Sequence, residues 1–304
     1  MSTAFDFDAW SGQQLARVEQ ALSQWIDPQA PAGLGEAMRY AVLDGGKRLR
    51  PLLVLGARLA VAQGQADPVL DEAALRAACA VEIIHAYSLV HDDMPCMDND
   101  VLRRGKPTVH VRFGEARALL AGDALQALAF EFLTPEHSAI PEALQARLCR
   151  ILARASGHAG MAGGQAIDLA SVGVALQEAQ LRQMHALKTG ALLQASVTLG
   201  AHCAAASSTP VHAALARYGQ AVGLAFQVVD DVLDVTADSH TLGKTAGKDA
   251  AHDKPTYVSL MGLDAAQAYA RELLQEALSA LSDSGLTHTD ALASLAQLVV
   301  NRHA

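Results

Sequence analysis

Two clusters of aspartates carry the clearest chemical signal in this sequence. The first lies between Asp92 and Asp98, directly after a long apolar stretch. The second consists of Asp230, Asp231 and Asp234 inside another apolar stretch. A solvated acidic turn would explain the first cluster alone, but burying the second cluster without partners would be very unfavourable. Because oxygen ligands suit Mg²⁺, the two clusters together predict a shared magnesium site.

Basic residues flank both aspartate clusters. Mg²⁺ usually keeps water or substrate phosphates among its ligands, so nearby cations predict that the metal binds together with a diphosphate. Only 23 residues of the chain are Lys or Arg, yet several of them lie close to these clusters or in a glycine-containing turn. The candidates are Lys47, Arg48, Arg50, Arg103, Arg104, Lys188, Lys244 and Lys254.

The overall composition predicts a helical protein. Hydrophobic residues make up 51% of the chain and aromatic residues 4%, and the apolar residues are mainly Ala and Leu, which favour helices. The net charge of −9 argues against a nucleic-acid surface, which needs basic stripes. The N-terminus lacks a secretory pattern, and the widely spaced cysteines predict reduced thiols in a cytoplasm. These cysteines are Cys79, Cys96, Cys149 and Cys203.

Helical periodicity runs through nearly the whole chain. The predicted helices cover 11–25, 36–43, 73–90, 115–132, 141–158, 176–201, 211–235 and 265–281, and further helices begin near 50 and 289. No strand pattern is convincing, so we predict a single all-α domain over residues 1–304. Between residues 188 and 230 the only charged side chain is Arg217. Polar interruptions there predict two buried helices rather than a membrane span.

The motifs, taken in order, resemble those of the trans-prenyl diphosphate synthases, and most closely the bacterial farnesyl diphosphate synthases. Besides the two aspartate motifs, the chain carries Gly-Gly-Lys-Arg-x-Arg-Pro at 45–51, Arg-Arg-Gly-x-Pro-Thr at 103–108 and Lys-Thr-Gly at 188–190. The resemblance covers the chain from about Tyr40 to Lys254 by motif and more loosely beyond. It implies a single-domain helical bundle with a central cavity, and a homodimer.

The resemblance also implies the metal site. Three Mg²⁺ ions would surround an allylic diphosphate, held by Asp92 and Asp98 on one side and by Asp230 on the other. The acids implied to support them, directly or through water, are Asp93, Asp231 and Asp234.

Substrate contacts follow from the same resemblance. Isopentenyl diphosphate carries no metal and would need side-chain donors, whereas the allylic diphosphate would be clamped by further cations. The implied isopentenyl site is Lys47, Arg50, Arg104 and His85, and the implied allylic clamp is Arg103, Lys188 and Lys254, with Lys244 nearby. The carbonyls of Lys188 and Thr189 and the side chain of Gln227 would stabilise the allylic cation. Gln165 and Asp168 match a family pattern and are expected to line or support the cavity.

Product length is expected to depend on the residues just before the first aspartate motif. Residues four and five before Asp92, Ser88 and Tyr87, lie about one helical turn deeper in the fold. Tyr87 would form the floor that stops the growing chain at fifteen carbons, which is the farnesyl product. A buried core aromatic is the alternative for Tyr87, and a geranylgeranyl product is the alternative for the enzyme.

Three rival functions use some of the same residues. A di-iron carboxylate bundle fits the Glu-x-x-His spacing of Glu82 and His85, but such sites need a second pair, and the sequence has none. A class I terpene cyclase would share the fold and the first motif, yet it would typically carry a different second motif. A catalytically silent partner subunit would have lost acids from one motif, whereas both motifs are intact here.

Overall fold

A computed structural model describes residues 5–43, 45–173, 176–204, 208–236 and 256–302. Its helices, in chain order, are α1 (Phe7–Trp25), α2 (Leu34–Val42), α3 (Leu49–Ala62), α4 (Pro68–Asp92), α5 (Val109–Phe113), α6 (Glu115–Leu133), α7 (Glu142–Ser156), α8 (Met161–Ala170), α9 (Glu178–His185), α10 (Ala191–His202), α11 (Thr209–Thr236), α12 (Tyr257–Met261), α13 (Leu263–Asp283) and α14 (Asp290–Val300). The predicted all-α class is confirmed.

Helix α4 delivers the first aspartate cluster to one end of the bundle. It begins where the Asp67 side chain accepts hydrogen bonds from the amides of Val69 and Leu70, with Pro68 at the first helical position, an arrangement that favours helix initiation. Six of its buried residues are alanines, whose small side chains let neighbouring helices approach closely. Fourteen residues of α4 are buried, so it lies at the centre of the fold.

Two hydrophobic clusters form the core. The first joins α1, α2, α4, α6 and α7, and the second joins α3, α10, α11, α13 and α14. The first cluster packs against α4 and the second against α11, and these are the helices that carry the aspartates. The two aspartate-bearing helices therefore belong to different clusters, and α3 and α10 contribute residues to both clusters.

The predicted helix over 176–201 is interrupted at a site residue. The structure has α9, then a single π-helical turn over Ala186–Gly190, then α10. A π turn changes the hydrogen-bond partners of the backbone carbonyls and is common at functional sites. Lys188 and Thr189 lie in this turn. Periodicity alone does not reveal such a turn, because α-helix directly precedes and follows it.

The prediction that the chain has no strands was wrong at one place. Leu102–Arg103 and Lys106–Pro107 pair as an antiparallel hairpin, β1 and β2. Its two turn residues, Arg104 (φ 52°) and Gly105 (φ 77°), both lie in the left-handed region, as a type I′ turn requires. The strands have two residues each, too few to show an alternating pattern.

One helix among the described residues is long and apolar enough to cross a membrane. It is α4, and 72% of its most apolar window is buried inside the fold. The region predicted to need such a check, 188–230, forms the separate helices that follow the π turn.

Candidate active site

The first aspartate cluster caps the C-terminal end of α4. Asp93 is 3% exposed and receives three hydrogen bonds of 2.6–3.0 Å from the Arg103 guanidinium. The following loop folds back, so that the Asp98 amide donates to the Asp92 carbonyl oxygen at 2.9 Å. Asp93 thus anchors the hairpin, while Asp92 and Asp98 remain beside each other.

The environment of Asp92 is unfavourable for an isolated negative charge. Burial raises the pKa of Asp92 to about 6, and the Asp98 carboxylate acts in the same direction, against the opposing charge of Lys188. A helix C-terminus, where Asp92 lies, also carries partial negative charge. A divalent cation at Asp92 would relieve this electrostatic cost.

The acids of the second cluster have different surroundings. Asp231 is 2% exposed and accepts hydrogen bonds from Gln227 Nε2 and from the Tyr257 backbone amide, both at 2.8 Å. It therefore ties α11 to the start of α12. Asp234 is also buried. Asp230 lines a large cavity, with its side chain 39% exposed.

The carboxylate oxygens of the two clusters suit a hard cation, but the protein side chains alone do not supply a complete set of ligands for one. Among the described residues, no three His, Cys, Asp or Glu side chains lie together closely enough to hold a metal ion. The acids of the two clusters offer only carboxylate oxygens, which suit Mg²⁺, and Mg²⁺ commonly takes its remaining ligands from water and substrate phosphates. The geometry therefore fits a metal that binds together with a phosphorylated ligand.

A cavity of about 980 Å³ collects the basic residues of the 45–51 and 103–108 motifs. Lys47, Arg50, Arg104 and His85 line it. Burial lowers the pKa of Arg50, although arginine stays charged, and its buried Nε makes no hydrogen bond within the described structure. Burial, and next the charge of Arg50, also lowers the pKa of His85 well below its usual value. The cavity therefore offers cations and one neutral imidazole to an anionic ligand.

A buried arginine that the sequence left without a separate role holds the 45–51 loop in place. Arg48, 5% exposed, donates to Glu82 at 2.8 Å, to Glu19 at 2.6 Å and to the Val42 carbonyl at 2.6 Å. Its backbone is left-handed, with φ 45°, a conformation that costs about 1–2 kcal/mol outside glycine. These contacts stabilise that backbone, which directs the flanking Lys47 into the cavity.

We expect Arg48→Lys to weaken the binding of an anionic ligand in this cavity. Lysine keeps the charge beside Glu82, but its single nitrogen cannot reach the acceptors that three separate guanidinium nitrogens contact, so the loop loses its fixed geometry. Kd for inorganic pyrophosphate, measured by calorimetry, should rise about tenfold, which corresponds to about 1.4 kcal/mol. Arg58→Lys is the matched control, because Arg58 is equally buried in α3 and pairs with Asp71 away from this cavity. An unchanged Kd in the Arg48 variant would contradict this role.

A second cavity of about 370 Å³ lies at the end of α4 and shares Arg50 and His85 with the larger one. Asp92 and Lys188 also line it. The remaining predicted residues on its wall are Tyr87, Ser88, Gln165 and Thr189. Two adjoining cavities thus meet at one arginine and one histidine, and each cavity carries an aspartate from a different cluster.

Tyr87 is 8% exposed and lies on the wall of the smaller cavity. Its hydroxyl accepts a hydrogen bond from Gln126 Nε2 at 3.3 Å, and its ring meets that of His91 edge-on at 5.7 Å between centroids. Tyr87 is therefore both a core aromatic with a satisfied hydroxyl and a cavity-lining side chain.

Helix α8, which the sequence did not predict as a separate element, positions Lys188. The Lys188 ammonium lies 2.6 Å from Asp168 Oδ2. A Cβ added at Gly164 would lie 2.1 Å from the Lys188 backbone nitrogen, so this glycine permits the close contact between α8 and the π turn. On the other side of the turn, the Thr189 hydroxyl donates to Gln227 Oε1 at 3.2 Å.

The structure brings most of the predicted site residues to these two cavities. Arg103 pairs with Asp93, and Lys188, which lines the smaller cavity, pairs with Asp168. Lys244 and Lys254 lie outside the described residues. One residue absent from the predicted site, Arg302, lines the large cavity and lies 2.8 Å from Asp230. Nothing in its local sequence distinguishes it from an ordinary residue near a chain end.

Comparison with known proteins gives consistent similarities. The polyprenyl synthetase family model matches residues 31–294. The farnesyl diphosphate synthase of Escherichia coli is 45% identical over 293 residues, which are 94% of this chain and 96% of that protein. A chloroplastic geranylgeranyl pyrophosphate synthase of Arabidopsis thaliana is 43% identical over 305 residues, covering 99% of this chain and 82% of that protein.

Similarity extends to solved structures. A geranyltransferase from Helicobacter pylori, complexed with magnesium and isoprenyl diphosphate, superposes with a TM-score of 0.83 at 34% identity. The match covers 99% of this chain and 98% of that one.

Proposed function

This chain belongs to the polyprenyl synthetase family, and we propose that it joins isopentenyl diphosphate to allylic diphosphates, first dimethylallyl and then geranyl, giving farnesyl diphosphate. The observation that carries this proposal is the pair of adjoining cavities. The larger one is rich in cations, and the smaller one is lined by Asp92 and by apolar side chains such as Met161 and Leu169. That arrangement suits two diphosphates whose reactive carbons meet between the cavities.

The larger cavity would hold isopentenyl diphosphate through Lys47, Arg50 and Arg104. Their charges replace the metal that this substrate lacks, and neutral His85 adds a hydrogen-bond donor. The buried, unpartnered Nε of Arg50 supports this assignment, because a buried donor without an acceptor is costly unless a ligand supplies one.

The smaller cavity would hold the allylic substrate, with its diphosphate at the aspartates and its hydrocarbon chain towards Tyr87 and Ser88. Three Mg²⁺ ions, held by Asp92, Asp98, Asp230 and Asp234, would neutralise the charge that develops on the departing diphosphate. The supporting acids are Asp93 and Asp231. The clamp would consist of Arg103 and Lys188, with Lys244 and Lys254 from outside the described residues.

The chemistry then needs little from protein acids or bases. The allylic C–O bond breaks, and the electron pair leaves with the diphosphate. The isopentenyl double bond supplies the electrons of the new C–C bond, and the departed diphosphate accepts the proton whose loss restores an alkene. The carbonyls of Lys188 and Thr189, in the π turn, and the Gln227 side chain would stabilise the allylic cation, while the helical walls exclude water.

The rival functions have less support. Glu82, which a di-iron site would need, is committed to Arg48 at 2.8 Å. Iron analysis of the purified protein should find no stoichiometric iron. A terpene cyclase would consume an allylic diphosphate without isopentenyl diphosphate, so its rate would not depend on the second substrate.

A steady-state assay tests the reaction class directly. Diphosphate release should require Mg²⁺, isopentenyl diphosphate and geranyl diphosphate together. Release from geranyl diphosphate alone, at an equal rate, would favour the cyclase and contradict the proposal. The geranylgeranyl alternative would pass this assay and differ only in product length.

We further propose that residues 1–304 act as one domain in a cytoplasmic homodimer, and that the apolar helix α4 is a core helix and not a membrane span. Exposed leucines on α6, Leu119 at 46% and Leu120 at 56%, support an association surface. The four cysteines form no disulfide, which fits a reducing compartment. Light scattering at assay concentration should give twice the chain mass of 31.8 kDa, and a monomer would contradict the dimer.

A further inference from the structure

The guanidinium of Arg302, two residues after the end of α14, is held at the second aspartate cluster by several contacts. Its Nη2 lies 2.8 Å from Asp230 Oδ1 and donates to the Phe226 carbonyl oxygen at 3.0 Å. Its Nε donates to the Val299 carbonyl at 3.1 Å, and its central carbon lies 4.1 Å from the centre of the Phe226 ring. With a side chain only 9% exposed, Arg302 is a fixed cation.

The partner of Arg302 is the acid of this cluster that lines the large cavity. Asp231 and Asp234 are 2% and 7% exposed, and both oxygens of Asp231 already accept hydrogen bonds. The Asp230 side chain is 39% exposed. Asp230 is therefore the acid of this cluster that a cation entering from the cavity would reach, and Arg302 already lies against its carboxylate.

A guanidinium held against a carboxylate makes the binding of a divalent cation to the same carboxylate less favourable. Both carry positive charge, and at contact distance they repel each other strongly in a partly buried site. In the absence of metal, the guanidinium supplies the charge that balances Asp230. Once a cation binds, the same guanidinium becomes a source of repulsion.

We propose that Arg302 is an internal competitor of the divalent cation at Asp230. It neutralises Asp230 in the metal-free enzyme and leaves Oδ1 when a cation binds there. The inference rests on the proposed function, because it takes Asp230 as a metal ligand. Arg302 is thus a positioning residue that makes metal loading depend on the segment that follows α14, an effect that neither aspartate motif reveals.

The displaced guanidinium would remain on the wall of the large cavity, which Lys47, Arg50 and Arg104 also line. A diphosphate bound there would attract it away from Asp230. By thermodynamic linkage, any anion that draws Arg302 off the carboxylate strengthens metal binding at Asp230, and the metal strengthens anion binding by the same factor. The two cavities would therefore load cooperatively.

Binding of Mn²⁺, which reports free metal by electron paramagnetic resonance, tests the competition without turnover. The full chain is titrated with Mn²⁺ alone, because added pyrophosphate would itself draw Arg302 away from Asp230. Arg302→Gln should bind Mn²⁺ about fivefold more tightly than the unaltered chain, at the lower end of usual coupling strengths. Asp230→Asn should bind it more weakly.

Arg217→Gln is the matched control. Arg217 lies on α11 with Asp230 and pairs with Asp283 at 2.7 Å on the surface, so the substitution makes the same change in net charge. It lies thirteen residues before Asp230, or about 20 Å along the helix, well beyond the screening length of about 8 Å at physiological salt. The Mn²⁺ affinity of this variant should stay within about twofold of the unaltered chain.

The outcomes separate the inference from the proposed function. Equal or weaker Mn²⁺ binding by Arg302→Gln, with binding reduced in Asp230→Asn, would overturn the competition alone. If Asp230→Asn bound Mn²⁺ as tightly as the unaltered chain, Asp230 would not be a metal ligand, and the proposed metal site would be overturned as well. If Arg302→Gln unfolds, Arg302→Met replaces it, since methionine removes the charge but keeps an apolar side chain against the Phe226 ring. Its affinity should exceed that of the unaltered chain, and an equal or lower affinity would overturn the proposal.

Discussion

Replacing Asp92 with Asn is expected to lower kcat about a thousandfold while leaving the fold intact. The carboxylate would ligate the metal that neutralises the departing diphosphate, a contribution of several kcal/mol to the barrier, or about 4 kcal/mol for this factor. Steady-state turnover with isopentenyl and geranyl diphosphates at saturating Mg²⁺ measures the loss. Asp123→Asn is the control, because Asp123 lies near His91, with its side chain 60% exposed, outside both cavities.

We expect Asp92→Asn to leave the stability of the metal-free fold unchanged or to increase it, although it lowers activity. Because burial raises the pKa of Asp92 to about 6 from its usual 3.8, the folded chain binds this proton more tightly than the unfolded chain does. Ionised Asp92 therefore destabilises the metal-free fold. This destabilisation is complete at a pH above the raised pKa of the folded chain and absent at a pH below the usual pKa of the unfolded chain. Without metal at pH 7, Tm of Asp92→Asn should equal or exceed that of the unaltered chain. A clear fall in Tm would mean that Asp92 is structural.

Replacing Tyr87 with Ala is expected to lengthen the product beyond fifteen carbons. The side chain lies on the wall of the smaller cavity and is 8% exposed, so its removal would open space for the growing chain below Asp92. The cavity should also cost about 3 kcal/mol of stability, as large-to-small core substitutions do. Product chain length by mass spectrometry, after extended incubation with excess isopentenyl diphosphate, gives the result.

Tyr87→Phe is the control that tests whether the ring of Tyr87, and not its hydroxyl, limits the length of the product. It keeps the ring and removes only the hydroxyl that accepts from Gln126 at 3.3 Å, so the product should be the same as that of the unaltered chain. If Tyr87→Ala also gave an unchanged product, the limit on chain length would lie elsewhere in the cavity.

The features of the protein that could be predicted from the sequence are those that depend on a local pattern of residues. The aspartate clusters stand out because acids inside apolar stretches need a partner. Helix positions follow from periodicity, although the start of α4 was placed at 73 instead of Pro68. The Asp67-Pro68 pair, a cap followed by proline at the first position, is the signal that would have corrected it. The Arg104-Gly105 pair likewise marks the hairpin turn only once both backbones are known to be left-handed.

The remaining parts depend on contacts between distant segments. Glu82 lies in the apolar run of α4, so a partner for it was to be expected, but its identity as Arg48 follows only from the packing of α3 against α4. The contact between Arg302 and Phe226 spans 76 residues of sequence. The π turn at Lys188 arises where α8 approaches the backbone at Gly164. Composition and periodicity carry no information about which segments, distant in the sequence, come into contact.

Mass spectrometry of the reaction products tests the central claim most directly. Purified protein is incubated with Mg²⁺, isopentenyl diphosphate and, in separate samples, dimethylallyl, geranyl or farnesyl diphosphate. We expect farnesyl diphosphate from the first two starters, with little extension of the third. No condensation product from any starter would contradict the proposed reaction, and accumulation of a twenty-carbon diphosphate from all three would contradict the assignment of the farnesyl product.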